Sequence, residues 1–168
     1  KTTGVVLESG DGVTNAVPVY EGYRLHAACQ RLNFAGRDLT DYMATLLTEV
    51  NFRANTVAAR EIVRQIKEEL ATVAPRRGRR PDVEARSYVL PDGQSITLRT
   101  QRYRCGELLF DPSPAGLDAV RGVHSMLHDA VTHSPQALQS TLYKSVVLGG
   151  GTCLLDGLVD RVTNELED

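Results

Sequence analysis

The stretch from Gly4 to Tyr20 decides the fold, and its sequence is GVVLESGDGVTNAVPVY. Its first part, GVVLE, is an apolar and β-branched run that is typical of a buried strand. The segment SGDG at residues 9–12 supplies turn-forming residues, and the strand pattern resumes from Val13. Two strands on either side of a Gly-Asp-Gly turn predict a β-hairpin near the start of the chain.

Beyond this hairpin, helical and strand patterns alternate along the chain. A third short strand is predicted from Gly22 to about His26, and Asp92-Gly93 predicts the turn of a second hairpin at about 87–98. A further buried strand is predicted at 145–148. Apolar residues spaced by three and four predict helices at about 37–50, 57–74, 105–110, 116–133, 135–143 and 154–166.

This order of elements predicts a mixed α/β fold, in which a sheet is flanked by helices. We interpret residues 36–108 as an inserted subdomain made of helices and a β-hairpin. Residues 1–35 and 109–168 then form the sheet-based body. The start at Lys1, with no initiator Met, predicts that the chain has been cut from a longer protein.

Composition excludes several classes of protein. The 168 residues are 42% hydrophobic and 24% charged, which is ordinary for one globular domain. Since no apolar run approaches about 18 residues, no membrane-spanning helix is predicted. The 19 basic and 21 acidic residues give a net charge of −2, too balanced for a general polyanion binder.

Two local features carry little functional signal. Four arginines fall within residues 75–81, PRRGRRP, and the flanking Pro and Gly favour a solvated loop. A nucleic-acid patch is the less favoured alternative, because no aromatic residues are interleaved. The three cysteines, Cys29, Cys105 and Cys153, form no C-x-x-C motif, so reduced thiols are expected rather than a disulfide framework or a zinc site.

The segment from Glu8 to Asn15, ESGDGVTN, is a candidate anion site. A Gly-rich turn between strands can direct successive backbone N–H groups toward one phosphate. Glu8 at the strand end could hold a hydrated Mg²⁺. A tight hairpin needs Gly and Asp for the same backbone reasons, so the residues alone leave both interpretations open.

Two further segments also have a functional and a purely structural interpretation. Glycines at 149–151, between a buried strand and a helix, allow close approach of a ligand, although a plain turn has the same composition. Neither the P-loop nor the dinucleotide-binding pattern is present. Arg64, Lys67 and Glu68 share one helix face opposite the apolar stripe, and a solvated Arg64–Glu68 pair is the simpler explanation. His124 and His128 are spaced as metal ligands, but nothing else converges on them.

The order of these motifs and their residue sequences resemble those of the actin and actin-related protein family over essentially the whole chain. Residues 2–23 are similar to actin's second phosphate-binding hairpin and its continuation. The further matching motifs follow in family order: AGRDLTDY at 35–42, REIVRQIKE at 60–68, LPDGQ at 90–94, RYRC at 102–105, LFDP at 109–112 and GGTCLLDG at 150–157.

The resemblance implies part of the actin-like ATPase fold, which is ribonuclease H-like, with residues 36–108 as the inserted subdomain. It implies that another phosphate-binding hairpin precedes Lys1 and that the last sheet strand follows Asp168. The implied cofactor is ATP or ADP with Mg²⁺ or Ca²⁺, bound between two domains. An isolated half of such a cleft is expected to be inactive and to bind nucleotide feebly.

The resemblance also assigns roles to residues. Backbone amides of residues 9–14 would hold the β- and γ-phosphates, Asp11 would lie near the ribose and phosphates, and Gly36 near the sugar edge. Arg64 and Glu68 would reach the ribose, and Lys67 the adenine. The full implied set for nucleotide binding is Ser9, Gly10, Asp11, Gly12, Val13, Thr14, Gly36, Arg64, Lys67, Glu68, Gly150, Gly151, Thr152, Leu154 and Leu155.

Three departures from the family pattern bear on activity. Glu8 replaces the metal-side Asp that acts through water, and Asn15 replaces the His near the attacking water, so Asn15 is a doubtful catalytic residue. The apolar plug between filament strands is reduced to Pro114-Ala115-Gly116, which favours a divergent member over a robust filament former.

We therefore expect an actin-like cytoskeletal protein that binds ATP, with hydrolysis as an open question. The alternative is a non-hydrolysing structural subunit of a larger assembly, such as a chromatin-remodelling or cytoskeletal complex. The expected partners are other actin-like subunits or actin-binding proteins, with neither membrane nor nucleic acid. The expected location is the cytoplasm and cytoskeleton, with the nucleus as an alternative.

Overall fold

The computed structural model describes residues 2–78 and 84–167. The chain begins with an antiparallel hairpin of strands β1 (Gly4–Ser9) and β2 (Thr14–Tyr20), as predicted. The far edge of β2 pairs with β3 (Tyr23–Arg24) and with β4 (Gln30–Leu32). On its other side, β1 pairs in parallel with the late strand β7 (Val146–Gly149), which makes the sheet mixed.

A helical layer with its own hairpin follows β4. Helix α1 (Gly36–Leu47) packs against α2 (Val57–Leu70) and α3 (Thr100–Glu107), and the hairpin consists of β5 (Arg86–Val89) and β6 (Ser95–Leu98). The α1 residues at three- and four-residue spacing are fully buried: Leu39, Met43, Leu46 and Leu47. Helix α2 begins where predicted, because the Thr56 hydroxyl accepts a hydrogen bond from the Ala59 N–H at 3.1 Å.

The inner face of the sheet is covered by the later helices. Helix α4 (Val123–Thr132) packs on β1, β2 and α6 (Leu158–Glu167), and α5 (Gln136–Tyr143) packs on β1. Val5 and Leu7 of β1 point into this core and are at most 1% exposed. One continuous apolar cluster runs from the sheet to α1 and α2. The division at residues 36 and 108 stays a prediction.

Several predicted boundaries are wrong, and tertiary contacts explain two of them. Helix α2 ends at Leu70 rather than 74, because the Thr72 N–H donates to Arg102 O and the Val73 N–H donates to Asp156 O, so that this segment bonds to other parts of the chain. The helix predicted at 105–110 lies at 100–107 instead. Its buried positions include Gln101 and Arg102, so its burial does not follow an apolar pattern.

Two predicted helices start later than expected. Gly116 adopts a left-handed conformation, φ 75°, after a short 3₁₀ turn, and α4 begins only at Val123. The segment predicted to open the last helix forms another 3₁₀ turn at 151–154, so α6 begins at Leu158. Strand β4 was not predicted.

The arginine-rich loop lies partly outside the described residues. Arg76 and Arg77 are exposed, whereas Arg79 and Arg80 are not described. Within the ranges that the structure describes, no helix combines the length and apolar character needed to cross a membrane.

Candidate functional site

Three segments that are far apart in the sequence meet at the carbonyl oxygen of Gly10. The Gly36 N–H, at the start of α1, donates to this oxygen at 3.0 Å. The Thr152 hydroxyl, in the 3₁₀ turn after β7, donates to it at 2.7 Å. The β1–β2 turn, the start of α1 and the turn after β7 are thus joined at one atom.

Two glycines allow this close approach. A Cβ atom on Gly36 would lie 2.7 Å from Thr152 Oγ1 and 3.1 Å from the Gly10 oxygen. Gly150 has φ 85°, and a Cβ atom there would lie 2.2 Å from the Ser9 oxygen. Any side chain at these two positions would push the segments apart.

The β1–β2 turn leaves backbone donors available. The Gly10 N–H closes the turn by donating to Val13 O at 3.1 Å. The N–H groups of Asp11, Gly12 and Val13 make no hydrogen bond to any part of the chain that the structure describes. Consecutive free N–H groups in a turn form a concave anion-binding surface, which suits phosphate oxygens.

The hydroxyl groups that flank this turn are structural. Ser9 and Thr14 are 2% and 0% exposed, and their hydroxyl oxygens are 2.8 Å apart. Thr14 Oγ1 donates to the Phe34 carbonyl at 2.7 Å, so Ser9 donates to Thr14. These two side chains brace the base of the turn.

Lys67 lies under the start of α1 rather than on an exposed helix face. It is 7% exposed, and its Nζ donates to Gly36 O and to Thr40 Oγ1, both at 3.0 Å. Burial lowers the pKa of Lys67 below its ordinary value. The side chain therefore joins α2 to α1 and places a cation at the floor of the site.

Arg64 and Glu68 lie at the rim. Arg64 donates to Glu68 at 2.7 Å, the predicted pair, and also binds Glu61 one turn earlier. The hydrogen bonds that Arg64 donates to Glu61 and Glu68 raise the pKa of Arg64, and Arg64 in turn lowers the pKa of Glu61. Both rim side chains are about half exposed, so they remain available to a polar ligand.

These segments enclose a cavity of about 530 Å³. The lining is polar backbone at the glycines and apolar at Leu154 and Leu155. The residues around the cavity are Gly10, Asp11, Gly36, Leu39, Arg64, Lys67, Glu68, Gly151, Thr152, Leu154 and Leu155. The implied nucleotide-binding residues that do not line it are Ser9, Gly12, Val13, Thr14 and Gly150.

Glu8 and Asn15 lie away from this cavity. They face each other across the β1–β2 register, and Glu8 is exposed. The exposed carboxylate of Glu8 suits a cation held through water, and among the described residues no three His, Cys, Asp or Glu side chains gather as a metal site. His124 and His128 do not converge either: His124 stacks on Phe110, and the His128 ring nitrogen lies 2.8 Å from the Tyr143 hydroxyl.

Sequence reasoning missed three residues at the site. Leu39 and Thr40 lie one turn into α1, where the apolar spacing indicates only a core helix. Arg37 pairs with Asp11 at 3.0 Å although 26 residues separate them. The one available signal was position, because all three belong to the AGRDLTDY segment that contains Gly36.

The arrangement matches a ligand with a charged phosphate end and a planar apolar end. Among the residues that line the cavity, Asp11 belongs to the turn with the free N–H groups, and Leu154 and Leu155 supply apolar surface.

Comparison with known proteins agrees with this geometry. The profile of the family described as Actin matches residues 1–168. A protein of Neurospora crassa named "Actin-like protein" is 40% identical over 176 aligned positions, which cover 99% of this chain and 46% of the relative. The chain thus spans about half the length of that curated relative. The mixed sheet with flanking helices is an α/β fold consistent with this family, and the chain belongs to the actin family.

Proposed function

We propose that the cavity is one wall of an ATP-binding cleft in an actin-like protein. The observation that carries the proposal is the junction at the Gly10 oxygen, where three backbone segments meet beside the 530 Å³ cavity. Because the chain spans about half of the Neurospora crassa relative, we propose that residues outside it supply the opposite wall.

In this proposal, the phosphates lie against the β1–β2 turn. The free N–H groups of Asp11, Gly12 and Val13 donate to the β- and γ-phosphate oxygens. Ser9 and Thr14 keep the turn in this conformation through their buried hydroxyl pair. Glu8 would orient a divalent cation through water, and that cation would neutralise phosphate charge.

The adenosine lies over the apolar end of the cavity. Leu154 and Leu155 contact the base, and Lys67 approaches it from the floor. At the rim, Arg64 donates a hydrogen bond to a ribose hydroxyl and Glu68 accepts one from a ribose hydroxyl, and Gly36 lies at the sugar edge. Leu154 is 85% exposed, and a bound base would cover it.

A second candidate function is nucleotide binding without hydrolysis, in a structural subunit of a larger assembly. Asn15 favours it, because an amide cannot take a proton from an attacking water at neutral pH. Asn15 stands opposite Glu8, so both substituted positions lie together at the end of the hairpin. The partners would be other actin-like subunits or actin-binding proteins, in the cytoskeleton or the nucleus.

Single-turnover phosphate release separates the two candidates. It would be measured with a protein of the relatives' length that contains this chain, loaded with Mg-ATP. If the protein is a structural subunit, it binds ATP but releases phosphate no faster than ATP hydrolyses in buffer alone. The double variant Glu8→Asp with Asn15→His should then raise the rate of phosphate release. Release well above the buffer rate in the unsubstituted protein would support an ATPase instead.

Calorimetry on the isolated chain tests the proposal that half of the cleft is absent. We expect weak Mg-ATP affinity and no measurable ATPase activity. Submicromolar binding by the 168 residues would show that one wall suffices and would contradict the proposal.

A further inference from the structure

Arg37 contacts the β1–β2 turn through both its side chain and its backbone. Its Nε and Nη2 atoms donate to the same Asp11 carboxylate oxygen at 3.2 and 3.0 Å. Its backbone N–H donates to the Asp11 carbonyl at 2.7 Å. The guanidinium also passes beside Gly12, where a Cβ atom would be 3.8 Å from Nη2.

The Asp11 carboxylate is a disadvantage in a phosphate site. It belongs to the same turn as the free N–H groups of residues 11–13, and it is 64% exposed. An unpaired carboxylate beside a phosphate would repel it, since like charges a few ångströms apart oppose each other. The turn should therefore bind a polyphosphate more tightly when the charge of Asp11 is neutralised.

Arg37 is placed to supply that neutralisation. The other cations nearby are engaged elsewhere: Lys67 donates to Gly36 and Thr40, and Arg64 binds Glu61 and Glu68. Two of the five guanidinium N–H donors of Arg37 are on Asp11, which leaves three for a phosphate or for water.

Arg37 also stands where the site opens to solvent. A second cavity of about 430 Å³ lies over the first turns of α1 and α2 and is lined by Arg37. It shares Asp11 and Arg64 with the first cavity. The Asp11–Arg37 pair thus lies at the boundary between the two.

We propose that Arg37 is a positioning residue that neutralises Asp11 and holds it away from the turn amides, so that a polyphosphate chain can bind there. This inference rests on the proposed nucleotide site and adds a residue to it. It assigns the main effect of Arg37 to the charge of Asp11, so removing that carboxylate together with Arg37 restores binding.

The test uses tripolyphosphate, titrated into the isolated ¹⁵N-labelled chain at low salt, with the Gly12 amide shift as the readout. We expect Arg37→Ala to weaken the apparent affinity by about tenfold, and salt to diminish that difference. Asp11→Asn combined with Arg37→Ala should return the affinity to within about threefold of the unsubstituted chain. Arg37→Lys, which keeps the positive charge, should lose less affinity for tripolyphosphate than Arg37→Ala does.

Arg121→Ala is the matched control, because it removes another exposed arginine from an ion pair, with Asp129, that lies outside both cavities. It should leave the affinity unchanged within about twofold. The dispersion of the amide signals in the NMR spectrum reports whether each variant is folded. If Arg37→Ala does not fold, the affinity of Arg37→Lys is compared with that of the unsubstituted chain instead.

The outcomes separate the two levels of the proposal. If millimolar tripolyphosphate moves no amide of residues 10–13, either in the unsubstituted chain or in a protein of the relatives' length that contains it, the proposed nucleotide site itself is wrong. If it binds there and Arg37→Ala binds equally well, only the role of Arg37 is wrong. Failure of the double variant to recover would also overturn the neutralisation mechanism.

Discussion

Gly150 illustrates how a single position holds the site together. Its φ of 85° lies in the left-handed region, and a Cβ atom would sit 2.2 Å from the Ser9 oxygen. Gly151, the next residue, has no atom within 4 Å of its Cβ position. The two neighbouring glycines therefore differ in what an added methyl group would meet.

We predict that Gly150→Ala lowers the free energy of unfolding by about 2 kcal/mol or more, through backbone strain and the clash with β1. Gly151→Ala should change it by less than about 0.5 kcal/mol. Urea denaturation of both variants measures the difference. Equal losses would show that the contact between Gly150 and Ser9 does not constrain the fold.

His124 is a second residue with a defined consequence, this time for pH. Its ring stacks on Phe110, and its Nδ1 atom is buried and finds no partner among the described residues. Burial lowers the pKa of His124, Arg161 on the same Phe110 ring lowers it further, and Glu165 acts in the opposite direction. The imidazole is therefore neutral in the folded chain at neutral pH.

Acid should consequently destabilise the fold through His124. Below pH about 6.5 the unfolded chain takes up a proton on His124 more readily than the folded chain does. The free energy of unfolding therefore falls as the pH falls, by at most about 1.4 kcal/mol per pH unit. Above this pH, His124 leaves the free energy of unfolding unchanged. His124→Phe keeps an aromatic ring on Phe110 and removes this dependence. Urea melts of both proteins between pH 5 and 7.5 measure it, and identical slopes would contradict the assignment.

At the scale of elements, Arg161 fastens α6 to the end of α3 and to the segment after α2. Its side chain is 1% exposed and donates to Glu107, Glu165 and the Ala74 carbonyl at 2.7, 2.6 and 3.1 Å. The guanidinium carbon lies 4.4 Å from the centre of the Phe110 ring. The turn at 151–154 leads into α6, so this contact supports one edge of the cavity.

We predict that Arg161→Met costs about 2–4 kcal/mol of unfolding free energy, because two carboxylates and a carbonyl lose their partner. Arg104→Met provides the comparison, since its pair with Glu49 is about 40% exposed and should contribute only about 0–1 kcal/mol. Thermal and urea unfolding give both values. If Arg161→Met lowers the free energy of unfolding only slightly, α6 is held mainly by its apolar side chains.

Elements with a regular spacing of apolar residues could be predicted from the sequence. Elements that are defined only by tertiary contacts could not. The β1–β2 hairpin follows from alternation around a Gly-Asp-Gly turn, and α1 follows from its apolar stripe. Strand β4 is three residues long without an apolar pattern, and only its pairing with β2 defines it. Helix α3 buries the polar side chains of Gln101 and Arg102, which no hydrophobic pattern indicates.

In the candidate site too, some features could be predicted from the sequence and others depend on tertiary contacts. Resemblance to the actin family identified the segments, but the burial of Lys67 beneath Gly36 reverses the exposed face that its helical spacing predicts. The Asp11–Arg37 pair joins positions 26 residues apart, and no local rule connects them. Contacts of this kind depend on how β1, α1 and the turn after β7 are placed together.

At the scale of the whole molecule, we propose that one cavity binds a nucleotide in a fixed orientation. The phosphate end is the β1–β2 turn, and the base end is the pair of leucines after the Gly-rich turn. The chain carries another groove, of about 450 Å³, between β7, α5 and α6, which is lined mainly by apolar side chains and serves as an internal reference.

Titration of the ¹⁵N-labelled chain with Mg-ATP tests this claim most directly. The account predicts shifts concentrated at residues 10–13, 36 and 151–155, with tripolyphosphate moving only the first group and adenosine only the last. Residues of the groove beside β7, such as Tyr143 and Val159, should not move. Shifts centred on that groove, or none at millimolar Mg-ATP, would contradict the account.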